Sequence, residues 1–472
     1  MQKILVVTDK YPPSMVGGAE LSLHVLLKSM DSDWDIRVAV LEGQTANKTE
    51  RFDEMEVVGL PSFGNWPPSQ HDTLHARGIG PSFITRRFAQ KEMQLRFLLD
   101  GKNRGFKKRL ERLRNLRVVS RDPAMTYLPS MDDDLVANRP TTNALKKLVR
   151  EYDPDLVHAD NYRSILAVAN SDLGGIPFTA MVRDHRFFCA QRNQSTNIDG
   201  QPCSICEFGC VRSADERSGQ VAKKLMSEIR AYRIKSLSKA SEIVTTSSYL
   251  RKQLEITMPD TSVHAIGNPT DAPARIDQIR TNINRSDPPE ILIVGMLNEN
   301  KGQERVIEWA KELKQQLDDF RIVLAGRGQL SKKITRLAEE HGIRDHLILT
   351  GFLDRNAIYR AYSRASVVVA PNRWPEPFGR VPLEAGLSER PVVAYDLGGI
   401  CESIVDGVTG HLVQPADEVL LLKRVVGIIK NPKRGAEMGE AARRFILEKY
   451  DSSTISERLG EVWARVIAES GH

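Results

Sequence analysis

Two glutamates eight positions apart, Glu376 and Glu384, lie on either side of a glycine turn. An apolar run at residues 365–370 predicts a buried strand before them, and a short helical pattern with a proline in its first turn follows Gly379. Free N–H groups at the start of a helix attract anions. The segment therefore predicts a phosphate-binding turn with a carboxylate on each side, suited to binding the sugar hydroxyls that flank a diphosphate. Taken singly, each glutamate could instead be a partner of the helix dipole.

The whole window resembles the family-4 retaining glycosyltransferases of the two-domain GT-B type. That family carries a Glu-x7-Glu pair with Pro-Phe-Gly between its members, then an apolar strand and a Gly-Gly loop, present here as Gly398-Gly399. The resemblance implies an α/β fold, GT-B, with two Rossmann-like doubly wound domains facing a central cleft. It implies that Glu376 binds the donor sugar and Glu384 the ribose. The residues that it places around the donor diphosphate are Phe378, Gly379, Arg380 and Val381.

A second glycine turn lies near the N-terminus, where Gly17 and Gly18 follow the first predicted strand, Ile4 to Val7, and precede a helix. Ligands bind at the carboxyl ends of strands in open α/β sheets. A purely structural turn explains these glycines equally well. The family has a Gly-Gly here that lines the cleft, so the resemblance implies substrate binding.

Polar residues end two further predicted strands of the first half. His158 and Asp160 end one strand, and Asp184 and His185 follow the next. This position predicts that they face the cleft, although each could be a capping or core residue. The family often has His-x-His and His-Asp at these places, and here Asp160 and Arg183 replace two of the histidines. We therefore take His158 and Asp184 as candidate catalytic residues, and Asp160 and His185 as candidate substrate-binding residues.

A strand, a glycine and a lysine open the second half of the chain. Gly295 follows the strand, and Lys301 precedes Gly302. The segment resembles the family's Gly-Arg-Leu…Lys-Gly element, whose basic residues hold the leaving diphosphate, with Met296 in place of the usual arginine. A solvated lysine is the alternative interpretation. The resemblance also implies that the loop at Leu353 contacts the nucleotide base.

Four of the five cysteines lie within 22 positions. The set is Cys189, Cys203, Cys206 and Cys210. The tight Cys-x2-Cys-x3-Cys spacing predicts a structural zinc site, with an iron–sulfur cluster or unligated thiols as alternatives. A metal here would staple a loop beside the cleft and would perform no chemistry.

The length of 472 residues and an apolar fraction of 41% favour two large domains. With the resemblance, the strand–helix alternation predicts four segments in order. The first is an acceptor-side Rossmann-like domain (1–270), which contains an insertion at about 43–140 and a cysteine-rich loop at 189–210. It is followed by a linker (271–288), a nucleotide-sugar-binding Rossmann-like domain (289–451) and a helix that crosses back to the first domain (452–472).

The insertion is strongly basic from residue 86 to residue 121, and its pattern predicts helix there. Its cations include Lys107, Lys108, Arg109, Arg112, Arg114 and Arg117. A solvated helix face would explain them, but interleaved phenylalanine and leucine residues make the segment amphipathic, which favours an anionic membrane surface or a lipid-linked acceptor. The N-terminus lacks the features of a secretory signal, and no apolar run is long enough to cross a membrane. The chain is thus expected in the cytoplasm, either free or at the inner face of the cytoplasmic membrane.

Together these features predict transfer of a hexosyl unit from a UDP or GDP sugar to a hydroxyl of a glycan or lipid-linked acceptor. The resemblance implies retention at the anomeric carbon. No catalytic metal is expected, because Lys301 and backbone N–H groups would stabilise the departing diphosphate. A hydrolysing epimerase of the same architecture is one alternative. A nucleic-acid-binding protein, suggested by the net charge of +6, is another, but the chain lacks an aromatic stacking platform, and no nucleic acid partner is expected.

Overall fold

Two β-sheets form the frame of the chain in the computed structural model. It describes residues 1–13, 17–42, 49–61, 139–189, 203, 216–270, 273–280, 283 and 286–471. The basic segment 86–121, Cys206 and Cys210 lie outside these ranges.

The first sheet has eight strands in the order β3-β4-β2-β1-β5-β6-β7-β8. They are β1 (Gln2–Thr8), β2 (Trp34–Val40), β3 (Thr49–Phe52), β4 (Met55–Gly59), β5 (Leu156–Asp160), β6 (Phe178–Val182), β7 (Glu242–Thr245) and β8 (Val263–Ala265). Only β3 and β4 pair antiparallel among these described strands. The central strands β5 and β6 are buried along their whole length, as expected for a parallel sheet covered on both faces.

The second sheet has six strands, all parallel, in the order β11-β10-β9-β12-β13-β14. They are β9 (Glu290–Val294), β10 (Arg321–Ala325), β11 (Leu347–Gly351), β12 (Val367–Ala370), β13 (Val392–Tyr395) and β14 (Gly410–Val413). The apolar run at residues 365–370, predicted as a buried strand, is β12, and each of its four residues is buried.

Helices connect the strands of both sheets. Those before the second sheet are α1 (Gly18–Lys28), α2 (Arg139–Tyr152), α3 (Tyr162–Ala169), α4 (Glu216–Leu237), α5 (Ser248–Thr257) and α6 (Pro273–Arg280). The later ones are α7 (Arg305–Gln316), α8 (Ser331–Glu340), α9 (Arg355–Arg364), α10 (Val381–Leu387), α11 (Glu418–Lys430), α12 (Pro432–Tyr450) and α13 (Ser452–Ser470). In the described part of the chain, no helix combines the length and apolar character that crossing a bilayer requires.

The strand order reverses beside β1 in the first sheet and beside β9 in the second. The chain leaves the neighbouring strands in opposite directions at such a point, which opens a crevice at their carboxyl ends. The loops after β1 and β5 border the first crevice, and the loops after β9 and β12 border the second. Most of the candidate site residues follow these four strands.

The structure differs from the sequence prediction at the start of the insertion. We expected loops in the first half of the insertion at about 43–140, but β3 and β4 form a hairpin there that extends the first sheet, and α2 begins at Arg139. The hairpin turns at Asp53 and Glu54, both with positive φ. The two strands have only four and five residues and lack a regular hydrophobic alternation, so the pairing of β3 with β4 and of β4 with β2 reveals them only in the folded chain.

The last helix, α13, packs on the first sheet although it follows the second in sequence. The Ser456 Oγ donates to the Leu26 carbonyl of α1 at 3.0 Å. Trp463 is fully buried and stacks edge-on against Trp34 of β2, with ring centroids 5.5 Å apart. This helix therefore ties the second half of the chain to the first.

Candidate active site

A lysine and a glutamate face each other across the crevice of the second sheet. Lys301 ends a short 3-10 turn after β9, and Glu376 lies in the loop after β12. The Lys301 Nζ donates to Glu376 Oε1 at 2.7 Å, while the Asn372 side-chain amide donates to the other carboxylate oxygen. The two side chains of the ion pair are 17% and 15% exposed. Lys301 is therefore a cation at the crevice that is shielded from bulk water and held by a carboxylate.

Gly302 allows the two loops that carry this pair to touch. Its φ is +68°, and a Cβ at this position would lie 2.2 Å from the carbonyl oxygen of Pro371. Any other residue would force the loops apart, because no Cβ approaches a backbone oxygen so closely. The Arg373 N–H also donates to the Asn300 carbonyl at 2.8 Å. The backbone thus sets the separation of Lys301 and Glu376.

Glu384 lies on α10 and is held from two sides. The Tyr362 hydroxyl donates to its carboxylate at 3.0 Å, and the Arg380 Nε donates at 3.2 Å. Burial and the neighbouring carboxylate raise the pKa of Tyr362 well above its ordinary value, so its hydroxyl stays protonated and remains a donor. The Glu384 side chain is 15% exposed. This carboxylate has a fixed orientation before any ligand binds.

Arg380 reaches from the second domain to the first. Its Nη1 donates to the Ser22 Oγ of α1 at 2.8 Å and to the Pro269 carbonyl at 3.4 Å. A Cβ on Gly18 would lie 3.0 Å from the Arg380 Cδ, so the missing side chain leaves room for this arginine. Gly17, beside it, precedes α1 and donates its N–H to Glu20 Oε2 at 2.9 Å. The two predicted glycine turns are therefore brought together through Arg380.

The remaining candidates of the second domain line the same edge of its sheet. Phe378 is 2% exposed and packs edge-on against Tyr450, while Gly379 has a φ of +88°. Val381 and Leu353 are partly buried against the core. Gly295 follows β9 next to Lys301, as a Cβ on it would lie 3.5 Å from the Lys301 Cε. The structure thus brings all of the second-domain candidates to one edge of the sheet.

Met296 and Phe352 are apolar side chains exposed at this edge, at 64% and 67%. The bridge between Gly326 and Gly351 holds the loops after β10 and β11 together beside them. A thioether at Met296 supplies no positive charge. Lys301 is therefore the cation of the Gly295–Gly302 segment.

Asp160, predicted to bind substrate, is engaged inside the first domain. It is 2% exposed, and both of its carboxylate oxygens accept hydrogen bonds from Arg183 at 2.7 Å. Arg183 also donates to the Asn268 side-chain carbonyl at 2.8 Å. Breaking such a buried bidentate pair would leave an uncompensated charge. We therefore correct the prediction and assign Asp160 to the structural link between β5, β6 and the end of the first domain.

His158, predicted to be catalytic, is also in the protein core. It is fully buried on β5, and its Nδ1 lies 2.8 Å from the Thr179 Oγ1 and 3.2 Å from the Trp463 Nε1 of α13. Burial lowers the pKa of His158 to about 4. Strand residues alternate between the two sheet faces, and His158 faces α13 instead of projecting from the end of the strand. We correct this prediction too and assign His158 a packing role.

Asp184 and His185 lie beside the domain boundary. The Asp184 carboxylate accepts from the Arg186 backbone N–H at 2.9 Å and from its Nε at 2.7 Å. Burial alone would raise the pKa of Asp184, but the charge and hydrogen bonds of Arg186, together with the charge of His185, lower the pKa overall. His185 is fully buried, and its ring packs against Trp374 of the second domain with centroids 5.6 Å apart. These two candidates therefore do lie where the domains meet.

Asp9 is a buried acid that sequence reasoning missed. It follows β1 and accepts hydrogen bonds from the backbone N–H groups of Ser164 at 2.7 Å and Arg163 at 3.3 Å in the first turn of α3. Burial raises the pKa of Asp9 to about 6, against the lowering effect of Arg186 and Arg163. The signal in the sequence was its place directly after a buried strand, the same signal that selected Asp160.

Direct contacts join the two domains next to the candidate site. The Glu402 carboxylate accepts from the backbone N–H groups of Ser248 at 2.9 Å and Tyr249 at 2.8 Å, at the start of α5. The Ser247 hydroxyl donates to the Pro377 carbonyl, between Glu376 and Phe378. A carboxylate at a helix N-terminus is stabilised by the helix dipole. These bonds hold the loop of Glu376 against the first domain.

The cysteine prediction falls mostly outside the described residues. Cys189 is buried at the end of the turn that carries His185, and Cys203 is partly exposed. Among described residues, no group of His, Cys, Asp and Glu side chains is arranged to hold a metal. The zinc site remains a prediction, because two of its four thiols are not among them.

The second half of the chain matches a known family. Residues 275–445 match the model described as "Glycosyl transferases group 1". The alpha-D-kanosaminyltransferase of Streptomyces kanamyceticus is 32% identical over 196 residues, 42% of this chain and 50% of that protein. The GDP-mannose-dependent alpha-(1-6)-phosphatidylinositol monomannoside mannosyltransferase of Mycolicibacterium smegmatis is 29% identical over 198 residues, 41% of this chain and 51% of that protein. The chain thus spans about half the length of these curated relatives.

Solved structures are similar over nearly the whole chain. Sucrose-phosphate synthase from Thermosynechococcus elongatus superposes with a TM-score of 0.64 at 15% identity, covering 99% of this chain and 100% of that one. Anabaena HepE in complex with UDP-glucose superposes with a TM-score of 0.58 at 17% identity, covering 98% and 100%. The predicted fold class is confirmed. The chain has the two-domain GT-B fold, and its residues 275–445 match the group 1 glycosyl transferases.

Proposed function

We propose that this chain is a retaining hexosyltransferase that moves a hexosyl unit from a nucleotide-diphosphate sugar to an acceptor hydroxyl. The acceptor would belong to a polysaccharide, a lipopolysaccharide or another glycoconjugate. The observation that carries the proposal is the Lys301–Glu376 pair, 2.7 Å apart at the crevice of the domain that matches the glycosyl transferases. A cation for the diphosphate and a carboxylate for the sugar are the two groups that this reaction needs side by side.

The chemistry follows from where charge develops. As the bond from the anomeric carbon to the diphosphate breaks, the sugar ring becomes positive and the leaving oxygen becomes negative. Lys301 would turn from Glu376 to the diphosphate and stabilise that negative charge, which is worth more in a site shielded from water. Since Lys301 supplies the positive charge, the reaction as proposed calls for no divalent ion. Glu376 would bind hydroxyls of the donor sugar, and Glu384 the ribose.

The helix that follows Glu376 contributes less than the sequence suggested. It has only seven residues, and Arg380 stands at its N-terminus. Two turns of helix carry a small dipole, so most of the electrostatic stabilisation in this proposal falls to Lys301. The Arg380 guanidinium, which bonds Ser22 and Glu384, would hold the two sides of the cleft in register.

The donors named for the similar proteins support the choice of donor. One relative is named as GDP-mannose-dependent, and HepE was solved with UDP-glucose. We therefore propose a UDP or GDP sugar as donor. The first domain, which brings Gly18 and His185 to the boundary between the domains, would bind the acceptor.

A ligand panel tests the proposal directly. The full chain is mixed with UDP-glucose, UDP-N-acetylglucosamine, UDP-galactose, GDP-mannose and the free nucleotides, and its melting temperature is measured. A ligand at 100 times its Kd should stabilise the native state by about 2.7 kcal/mol. A donor identified in this way is then supplied with octyl glycosides, and the anomeric configuration of the product is read by NMR. No shift with any nucleotide sugar would overturn the proposal, and release of free sugar without an acceptor would favour a hydrolysing epimerase.

We also propose that the enzyme works at the inner face of the cytoplasmic membrane, through the basic amphipathic segment 86–121. Each lysine or arginine near an anionic bilayer contributes about 1 kcal/mol of attraction. Changing Lys107, Lys108 and Arg109 to glutamate should therefore abolish flotation with phosphatidylserine vesicles at low salt. Reversing Lys332, Lys333 and Arg336, which are exposed on α8, is the matched control and should leave flotation unchanged. Absence of binding by the unmodified chain would show that the segment is only a solvated face.

A further inference from the structure

Two aromatic side chains from different domains meet beside the Lys301–Glu376 pair. His185 follows β6 in the first domain, and Trp374 lies in the loop after β12, two residues before Glu376. Their ring centroids are 5.6 Å apart, and the planes are inclined by 60°. His185 is fully buried, while Trp374 is partly exposed. The pair therefore lies at the junction of the two domains, next to the proposed donor-binding loop.

One polar nitrogen on each ring is buried without a hydrogen-bond partner among the described residues. These atoms are the Nδ1 of His185 and the Nε1 of Trp374. The other imidazole nitrogen, Nε2, lies 3.2 Å from the Tyr249 hydroxyl. Buried polar groups are nearly always paired, so two unpaired nitrogens on touching rings indicate a missing polar partner. The two rings come from different domains, so both nitrogens lie at the domain boundary.

The chemistry of the two nitrogens narrows the kind of partner. The indole N–H of Trp374 can only donate. Burial lowers the pKa of His185 to about 4, so its ring is neutral near pH 7 and one nitrogen accepts while the other donates. If Nε2 donates to Tyr249, the partner must accept from Trp374 and donate to His185, and a hydroxyl does both. In the other tautomer Nδ1 of His185 carries the proton, so this nitrogen and the Trp374 Nε1 both donate. The two lone pairs of one hydroxyl oxygen can accept both bonds.

We propose that His185 and Trp374 form a subsite that binds one hydroxyl group of a sugar substrate between the two domains. A carbonyl or carboxylate fits only one of the two tautomers, and an ammonium group cannot accept from Trp374. The inference rests on the proposed function, since a sugar is the hydroxyl-bearing substrate of that reaction. The hydroxyl could come from the donor sugar, because Trp374 precedes Glu376, or from an acceptor sugar, because His185 belongs to the first domain.

Removing the indole N–H tests the subsite. Trp374→Phe keeps an aromatic ring but deletes the donor. Trp309→Phe is the matched control, since the Trp309 Nε1 already has an acceptor in Glu418, at 3.2 Å. Affinities for UDP-glucose, GDP-mannose, UDP and GDP are measured by titration calorimetry, and KM is measured for octyl glycoside acceptors. Loss of one neutral hydrogen bond corresponds to about a threefold to tenfold change in affinity.

Two results support the subsite and identify its ligand. If the donor sugar supplies the hydroxyl, Trp374→Phe lowers the affinity for the nucleotide sugar by that factor and leaves the affinity for the free nucleotide unchanged. If the acceptor supplies it, the acceptor KM rises by that factor and donor affinity stays the same. In both cases Trp309→Phe changes neither constant. Should Trp374→Phe fail to fold, His185→Phe removes the other nitrogen and makes the same test.

Other results overturn the subsite. If the native chain binds a nucleotide sugar but Trp374→Phe changes neither the donor affinity nor the acceptor KM, the nitrogens bind only water and the inference is wrong. The proposed function would survive that outcome. If the native chain binds none of the nucleotide sugars, the proposed function itself fails, and the inference fails with it.

Discussion

Replacing Glu376 by glutamine separates the two roles proposed for the Lys301–Glu376 pair. In the structure the Lys301 ammonium is bound to Glu376 at 2.7 Å, so a diphosphate must compete with this carboxylate for it. Glutamine keeps the size of the side chain, and its carbonyl can still accept from Asn372. The negative charge is lost, together with the oxygen that accepts from Lys301. We therefore expect Glu376→Gln to bind the free nucleotide UDP or GDP more tightly while transferring sugar more slowly.

The expected changes in nucleotide affinity and in transfer rate can be worked out from the exposure of the Lys301–Glu376 pair and from its hydrogen bonds. With side chains 17% and 15% exposed, the pair is stronger than a fully exposed one but is not deeply buried. Releasing Lys301 from such a pair contributes about 1 kcal/mol, which corresponds to about fivefold tighter binding of the nucleotide. Losing a charged acceptor for the sugar hydroxyls costs about 1.5–3 kcal/mol, or about 10- to 150-fold in kcat/KM. The two changes have opposite sign, which a simple loss of stability cannot produce.

The assay is calorimetric titration with UDP and GDP, paired with transfer kinetics on the donor found in the ligand panel. Glu418→Gln is the matched control, because Glu418 also accepts from a cation, Arg305, in the same domain. This control variant should change neither the Kd for the nucleotide nor the kcat/KM for transfer by more than about twofold. Weaker nucleotide binding by Glu376→Gln, in step with its loss of transfer, would refute the competition between carboxylate and diphosphate for Lys301.

Three further predictions concern the ribose site, the cysteines and the core. Glu384→Ala should reduce transfer by orders of magnitude and also lower the melting temperature, because it leaves the buried Tyr362 hydroxyl without its acceptor. Glu384→Gln should lose donor affinity with little change in the melting temperature. If both variants transfer sugar at rates within a few-fold of native, Glu384 does not belong to the site. Elemental analysis should find about one zinc per chain, lowered by Cys206→Ser but not by Cys401→Ser, and finding neither zinc nor iron would refute a metal site. Because the folded pKa of His158 is depressed from 6.5 to about 4, its contribution to the free energy of unfolding is present above pH 6.5 and is lost as the pH falls towards 4. His158→Asn should remove about 3 kcal/mol of this pH dependence. Parallel curves of stability against pH for the native and variant proteins would contradict the burial of a neutral His158.

The regular elements were largely predictable because their signals are local. Apolar runs such as the one at residues 365–370 can only be buried, and a buried run between helices belongs to a parallel sheet. The position of Lys301 and Glu376 after such runs was enough to place both at the carboxyl edge of one sheet. The hairpin of β3 and β4 was missed since its strands are short and lack a regular hydrophobic alternation.

The candidate residues of the first domain show where local reasoning fails. His158 and Asp160 both end β5, and the sequence pattern treats them alike. In the folded chain one contacts Trp463, more than three hundred positions away, and the other contacts Arg183. Their roles depend on which distant side chain reaches them, and no local pattern contains that information.

The order of strand, glycine turn and helix is therefore what the sequence by itself determined, together with the identity of the lysine and the two glutamates. Backbone preferences and burial act over a few residues, so they can be read along the chain. Only the tertiary structure decided that Arg380 would meet Ser22 and that His185 would meet Trp374. These contacts join residues of two domains, and they exist only because α13 and the Glu402 carboxylate hold the domains together, an arrangement set by long-range packing.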